Sequence, residues 1–352
     1  MPLPNFGAGF FREDPVVRAG RGSPASVEAK YRRAQTLRRE IESLIAEWST
    51  NAGMSCEGRL VLERHAFEVR LKFSPTLSLG RLAVLIGDYV HNLRSALNHL
   101  VMELARDAGA SEGAIARLEY PNVVSASEWN RWSRRLEQLP EYIVERVRRL
   151  QPFADRPVDG REPSREWSET SVVNLLSIYD NDDKHRSSLR CSVFRSENRS
   201  HPTVTYKLDE GGARIPFPAG FDEGDIPLEY SDFGRLNTAV YFTYYQELPI
   251  LWAASNLRVK FQVLVGSERA SRHEPVVPLV ALLDEQVRFN IDAICYGFDV
   301  ARDNADSRRK LLNLPDHVHW DLVCDGAVVA GADEERVAEA RASLGAMLRQ
   351  DF

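Results

Sequence analysis

The chain has 352 residues, of which 43% are hydrophobic and 27% are charged. This length and composition are typical of a folded globular protein that is long enough for two domains. The formal net charge of −6 argues against a protein that coats nucleic acid by bulk electrostatics, although it allows a local basic groove. No segment approaches the ~18 uninterrupted apolar residues of a transmembrane helix, so we expect no membrane association.

The N-terminus and the cysteines bear on the cellular compartment. Residues 1–22 contain no basic segment followed by an apolar one, so we expect a flexible arm and no signal peptide. The four cysteines are far apart in the sequence and form neither a CxxC pair nor a disulfide framework. Unpaired cysteines are typical of a reducing compartment, and we therefore expect a cytoplasmic protein.

Residues 23–188 are predicted to form a helical bundle with an inserted β-hairpin. Apolar side chains recur at helical spacing after Pro24 as far as Ser49, and again over about residues 79–108. Between these two helices, residues 59–73 alternate twice between apolar and polar side chains, which is typical of a hairpin. Shorter helices are predicted after Ser125, over residues 141–150 and over residues 167–179.

Residues 189–270 are predicted to form a smaller strand-rich part. Apolar and β-branched side chains cluster there in four segments, residues 189–194, 203–208, 239–245 and 257–265. Residues 271–352 are predicted to contribute a long helix, over about residues 277–300, and a polar tail that ends in a short helix over residues 333–348. The predicted fold class is α+β: a helical bundle with an inserted β-hairpin, followed by a smaller strand-rich part and a long C-terminal helix.

The helix predicted over residues 79–108 has an unusual polar face. At ~100° per residue, one side of this helix carries Asp88, His91, Asn92, Arg94, Ser95, Asn98 and His99. The opposite side is apolar. A solvated face normally carries Lys and Glu, whereas short hydrogen-bonding groups beside an imidazole are typical of a buried polar network or an active site. The sequence alone leaves both interpretations open.

A second polar cluster lies at the end of the helix predicted over residues 167–179. Lys184, His185 and Arg186 follow an acidic run there, and the helix macrodipole favours positive charge at a C-terminal end. One interpretation is that these cations only pair locally with the preceding aspartates. We predict instead that they bind substrate in the same site as the polar face of residues 88–99.

Residues 91–100, His-Asn-Leu-Arg-Ser-Ala-Leu-Asn-His-Leu, resemble a helix with the sequence HNLRSALDHL in a large group of uncharacterised bacterial and phage proteins. Those proteins also carry a later DKHR segment, which matches residues 183–186 here. The resemblance covers about residues 56–190. Asn98 stands where an Asp is more usual in that group, which weakens any role that needs a carboxylate at this position.

Arg94 and His99 also resemble the R-x4–6-H signature of the HEPN-domain ribonucleases. The pairs Arg59/His65 and Arg195/His201 match the same spacing, but only Arg94/His99 lies on a predicted helix within a polar face. The resemblance implies a small helical bundle, often a homodimer, that cleaves RNA without a metal or other cofactor through attack by the 2′-OH. It also implies that Arg94 holds the scissile phosphate and that His99 is the general acid or base.

These features together predict a metal-independent endoribonuclease, acting as a growth-inhibiting toxin or a phage-defence effector. The predicted partners are RNA and a second copy of the chain, and the identity of any antitoxin is left open. The predicted catalytic set is Arg94, His99, Asn98, His91 and Asp88, and Ser95 is predicted to contact the substrate together with Lys184, His185 and Arg186. Asp88 and Asn92, which lie on the same row of the helix as His99, are expected to orient its ring rather than to react.

Two other classes of function stay open. The first is a non-catalytic interaction protein, in which the His/Asn helix forms a buried polar network or a dimer seam. The second is a metal-dependent hydrolase using Asp88, His91, His99 and His185, although the sequence lacks the His pair and Glu of a zinc-binding helix. No nucleophile elbow supports a serine triad, and no glycine-rich phosphate loop is present.

Overall fold

The structure is a computed structural model, and it describes residues 23–51, 53–61, 63, 66–74, 77–154, 171–185, 189–195, 203–208, 238–245, 250–266, 273–312, 322–331 and 333–347. The arm predicted over residues 1–22 lies outside this description, as does Arg186. The chain divides into two compact units, each assembled from three separate stretches. The first unit takes residues up to 42, 80–190 and 265–318, and the second takes residues 43–79, 191–264 and 319–352.

The first unit is built from helices. They are α1 (Ala25–Asn51, of which the part after Glu42 belongs to the second unit), α2 (Leu79–Asp107), α3 (Glu112–Ile115), α4 (Ala126–Trp132), α5 (Glu141–Arg149), α6 (Val172–His185), α7 (Val276–Tyr296) and α8 (Phe298–Leu312). Two short 3₁₀ turns lie at Ser133–Leu136 and Pro152–Ala154. The sequence predicted one helix over about 277–300, but Gly297 separates α7 from α8 because it adopts a φ of 96°, which glycine tolerates best.

Helix α7 is tied to both long helices that precede it. The apolar side of α2 is fully buried as the periodicity predicted, through Leu82, Ile86, Tyr89, Leu93, Leu97 and Leu100. Burial of each such leucine or isoleucine stabilises the fold by ~1.5–3 kcal/mol. The hydroxyl of Tyr89 donates to the carbonyl of Val280 on α7 at 2.6 Å. On α1, Arg38 forms an ion pair with Asp284 of α7 at 3.0 Å.

A buried ion network joins α7 to α1 and α8. The carboxylate of Asp292 on α7 is fully buried and pairs with Arg288 and with Arg308 of α8, each at 2.8 Å. Arg288 also pairs with Glu28 of α1 at 2.7 Å. A buried carboxylate needs such partners, because an isolated charge in the interior carries a large desolvation cost.

The second unit carries two antiparallel sheets. The first sheet has the order β1 (Gly53–Val61), β2 (Ala66–Ser74), β5 (Thr238–Tyr245). In the second sheet, β6 (Ile250–Gly266) lies between β3 (Arg190–Arg195) and β4 (Thr203–Leu208). Strand β8 (Leu322–Gly331) also pairs with β6, and α9 (Glu334–Met347) packs on β8, whereas the two-residue strand β7 (Glu274–Pro275) belongs to the first unit. The β8 register runs from Trp252↔Gly331 to Phe261↔Leu322.

The predicted α+β fold class is confirmed, with a helical bundle, a hairpin and a strand-rich part. Two segments belong to a different unit of the structure from the one that the sequence predicted. The hairpin pairs with β5 and so belongs to the strand-rich unit, whereas the long helix α7 belongs to the bundle. The short helix predicted at the end of the polar tail is present as α9, but residues 302–352 also contain most of α8 and all of β8, which were not predicted. Within the described part of the chain, no helix combines the length and apolar character that a membrane crossing requires.

Candidate functional site

Helices α2 and α6 lie side by side and antiparallel where the two predicted polar clusters meet. His91 on α2 contacts Asp180 on α6, while Gly87, one turn earlier on α2, lies against Asp183, one turn later on α6. The order of these contacts is opposite along the two helices, which defines their antiparallel arrangement. The Asp183 carboxylate lies against the bare backbone of Gly87, because a Cβ atom at that position would lie 2.5 Å from one of its oxygens.

The imidazole of His91 is held between a carboxylate and a hydroxyl. Its Nδ1 lies 3.1 Å from Oδ1 of Asp180, and the two side chains are 43% and 6% exposed. An ionised carboxylate only accepts hydrogen bonds, so Nδ1 donates and the second ring nitrogen, Nε2, keeps its lone pair. Nε2 lies 3.4 Å from Oγ of Ser95, one helical turn further along α2. The contact with Asp180 therefore leaves a basic nitrogen on the half-exposed side of the ring.

Arg94 and Asn98 both bind the backbone of Tyr120. Nη2 of Arg94 donates to the carbonyl oxygen of Tyr120 at 2.7 Å, and Oδ1 of Asn98 accepts from its N–H at 2.8 Å. Arg94 is only 8% exposed, and its burial lowers its pKa against the opposing influence of Glu119 and Asp180. Its second terminal nitrogen, Nη1, has no hydrogen-bond partner among the described residues. These two side chains satisfy the backbone of a segment that forms no sheet.

The segment around Tyr120 is anchored from several other directions. The amide of Asn290 on α7 donates to the Tyr120 hydroxyl at 3.5 Å, and burial raises the pKa of that hydroxyl. The N–H of Val123 donates to the side chain of Gln151 at 3.2 Å. Asn122 donates to Asn174 of α6 at 3.0 Å. These hydrogen bonds hold the segment around Tyr120 beside the polar face of α2, and α6 contacts both the segment and that face.

The remaining residues of the polar face are less constrained. His99 is half-buried, and no hydrogen bond to its imidazole is found among the described residues. Asp88 is exposed, and its backbone carbonyl accepts from the Asn92 amide at 2.8 Å. Asn92 is thus directed along its own helix, and the prediction that it orients His99 finds no contact here. The carboxylate that does orient a histidine is Asp180, and its histidine is His91.

Two residues of the predicted segment, Asp180 and Asp183, lie beside α2, at one end of the polar face. Asp180 is opposite His91 and Asp183 is opposite Gly87. The backbone that leads to Lys184 and His185 therefore continues toward the start of α2. Gly87 precedes Arg94 by seven residues, or ~10 Å along the helix axis. The side chains of Lys184 and His185, and all of Arg186, lie outside the described residues, so their predicted substrate contacts stay predictions.

Sequence reasoning missed Asp180 and Tyr120 as parts of this site. A signal for Asp180 was present, because it follows the buried residues Val173 and Leu176 at the spacing of one helix stripe. An aspartate on an apolar stripe faces the interior and requires a partner. Tyr120 lies outside any helix or strand and offered no comparable signal.

Two further searches bear on the site. Among the residues that the structure describes, no group of three or more His, Cys, Asp and Glu side chains is placed to hold a metal ion. Comparisons of the chain with protein families, with curated proteins and with solved structures gave no match. The fold and the site together describe an α+β protein with a polar, histidine-bearing face where two helices are in contact.

Proposed function

We propose that this protein is a metal-independent endoribonuclease whose active site is the polar face of α2. The observation that carries the proposal is the contact of the half-exposed His91 with the buried Asp180, 3.1 Å apart. An imidazole whose tautomer is held by a carboxylate is a suitable general base near neutral pH. The resemblance of Arg94 and His99 to the HEPN signature supports RNA as the substrate.

In the proposed reaction, a ribose 2′-OH replaces the Ser95 hydroxyl at Nε2 of His91 and gives its proton to that nitrogen. The 2′ oxygen attacks the adjacent phosphorus, and the bond from phosphorus to the 5′ oxygen breaks. The products are a 2′,3′-cyclic phosphate and a 5′-hydroxyl. His99 is proposed to donate the proton to the leaving oxygen from two turns away, ~12 Å along the helix axis between the two Cα atoms.

Arg94 has both a structural and an electrostatic role in this proposal. Its Nη2 is occupied by the carbonyl of Tyr120, and Nη1 is buried without a partner among the described residues. The guanidinium is therefore proposed to stabilise the charge that develops on the phosphate through its positive charge, without a direct hydrogen bond. The HEPN resemblance further supports a homodimer that acts as a toxin or defence effector, with an antitoxin of unknown identity, and the widely spaced cysteines favour a cytoplasmic location.

The test is cleavage of single-stranded RNA by the full chain in excess EDTA, with analysis of the product ends. We expect 2′,3′-cyclic phosphate ends, and we expect His91→Ala and His99→Ala to lower the rate by ~10²–10⁴. Ser307→Ala, an exposed change on α8, is the matched control and should cleave like the wild type. Full activity in either folded histidine variant would refute the assignment, and a requirement for added divalent metal would favour the hydrolase alternative.

A second candidate is a non-catalytic interaction protein. Arg94 and Asn98 both bind the backbone of Tyr120, as the members of a structural polar network do. This observation favours the second candidate. In that case the wild type does not cleave RNA under any metal condition. Substitution of Arg94 then changes only the stability of the bundle or the binding of a partner.

A further inference from the structure

Asp180, His91 and Ser95 form a continuous relay of carboxylate, imidazole and hydroxyl. The carboxylate faces Nδ1 at 3.1 Å, and the hydroxyl faces Nε2 at 3.4 Å. This order of atoms matters chemically. A carboxylate on Nδ1 stabilises the imidazolium, and a hydroxyl on Nε2 gives up its proton to become a nucleophile.

The local structure explains why these three groups meet. Ser95 lies one helical turn after His91, so both side chains project from the same side of α2. Asp180 comes from α6, whose next turn places the Asp183 carboxylate against the bare backbone of Gly87. Ser95 is half-buried and Asp180 is buried, so the relay has one end in the interior and one end within reach of a small molecule.

We propose that Ser95 is a nucleophile that accepts the acyl group of small carboxylic esters. Esters are the class of substrate that an activated hydroxyl attacks, and a small one is favoured because Ser95 is only half-exposed. This activity is independent of the proposed ribonuclease activity, because the attacking oxygen belongs to the protein and not to RNA.

In the first half of the reaction, Oγ of Ser95 attacks the ester carbonyl carbon while its proton passes to Nε2 of His91. The carbon–oxygen bond to the alcohol then breaks, and the leaving alcohol takes that proton. In the second half, water gives a proton to His91 and attacks the acyl-serine, which releases the carboxylic acid and restores the Ser95 hydroxyl. The backbone N–H groups within a helix are already bonded, and Nη1 of Arg94 is buried, so the oxyanion is proposed to be stabilised by the positive charge of the Arg94 guanidinium and not by a direct hydrogen bond.

The experiment is labelling of the full-length protein with a fluorophosphonate probe, followed by mass spectrometry of the digested protein. Attack by Ser95 Oγ on phosphorus expels fluoride, and the proton leaves through His91. We expect one adduct, located on Ser95, and hydrolysis of p-nitrophenyl acetate that depends on the same residue. Ser95→Ala should abolish both signals, His91→Ala should slow labelling at least ~10²-fold, and the control Ser307→Ala should behave as the wild type.

The outcomes separate the two proposals. An unlabelled wild type, or equal labelling of the wild type and Ser95→Ala, would overturn the Ser95 nucleophile whatever the result with RNA. A labelled Ser95 in a protein that does not cleave RNA would support the nucleophile and refute the ribonuclease. Circular dichroism of each variant confirms that it is folded, and Ser95→Ala is a mild change because alanine favours a helix.

Discussion

Gly87 of α2 lies directly against the carboxylate of Asp183 of α6. A Cβ atom at position 87 would be 2.5 Å from Oδ1 of Asp183, which is shorter than real side-chain contacts allow. The next turn of α2 carries His91, whose Nδ1 lies 3.1 Å from Asp180. The two contacts therefore lie one helical turn apart and belong to the same packing of α6 on α2.

The first prediction follows from this packing. Gly87→Ala should displace the Asp183 carboxylate from α2 and thereby lose the gain of ~1 kcal/mol that alanine otherwise brings to a helix. The matched control is Gly80→Ala near the start of the same helix, where nothing lies within 4 Å of the added Cβ atom. Urea unfolding should find this control neutral or more stable by up to ~1 kcal/mol, because alanine favours a helix. Equal effects of the two substitutions would contradict the role assigned to Gly87.

The second prediction separates the two residues of the HEPN-like signature by their effect on stability. Arg94→Ala leaves a buried carbonyl of Tyr120 without its donor, which costs ~1–3 kcal/mol in addition to lost packing. His99→Ala removes a half-buried ring with no hydrogen bond among the described residues, so we expect less than ~1 kcal/mol.

The measurement is chemical denaturation of both variants and the wild type under the same conditions. A small effect of Arg94→Ala would show that the contact with Tyr120 contributes little, and would leave Arg94 available mainly for the substrate. A large effect means that any loss of RNA cleavage in this variant has to be corrected for its unfolded fraction. Arg94→Lys, which keeps the charge, is the companion variant for that comparison.

The polar face of α2 could be predicted from the sequence because it depends on helical periodicity alone. The partners of its residues could not, since each depends on where a distant segment packs. His91 pairs with Asp180, and Arg94 with the backbone of Tyr120, across 89 and 26 residues. The acidic run offered three aspartates, and only the packing of α6 selects Asp180. The same limit applies to β8, whose pattern is interrupted by Asp325 and Gly326 and which exists as a strand through its pairing with β6.

The third prediction concerns pH and the contact between α1 and α7. Burial raises the pKa of Asp284 above its ordinary value of 3.8, and the nearby charge of Arg38 opposes this shift. A raised pKa means that the folded protein holds this proton more tightly than the unfolded chain does. The stability that Asp284 contributes is therefore fully present below pH 3.8 and is lost as pH rises through the folded-state pKa.

Asp284→Asn removes this titration. We expect the stability of the variant relative to the wild type to improve as pH rises from ~4 to ~7, measured by urea unfolding at several pH values. The control is Asp303→Asn, at an exposed position on α8, whose stability relative to the wild type should stay constant over that range. A relative stability of Asp284→Asn that falls with rising pH would show that the ion pair with Arg38 outweighs the cost of burial.

The last prediction compares two aspartates of the same site that differ in burial and contact. Asp180 is 6% exposed and faces Nδ1 of His91, whereas Asp88 is exposed and engages its neighbour Asn92 only through its backbone. Asp180→Asn keeps an oxygen that can accept from Nδ1 but removes the negative charge that stabilises the imidazolium. We therefore expect Asp180→Asn to slow RNA cleavage and Ser95 labelling by ~10–10²-fold, less than His91→Ala does. Asp88→Asn should change both rates by no more than about twofold, because a solvated carboxylate in no contact with the ring contributes little. Its effect on RNA cleavage should also be smaller than that of His99→Ala. Single-turnover rates of the folded variants decide the matter: a loss in Asp88→Asn equal to that in Asp180→Asn would make Asp88 a reacting group and shift the site toward the start of α2.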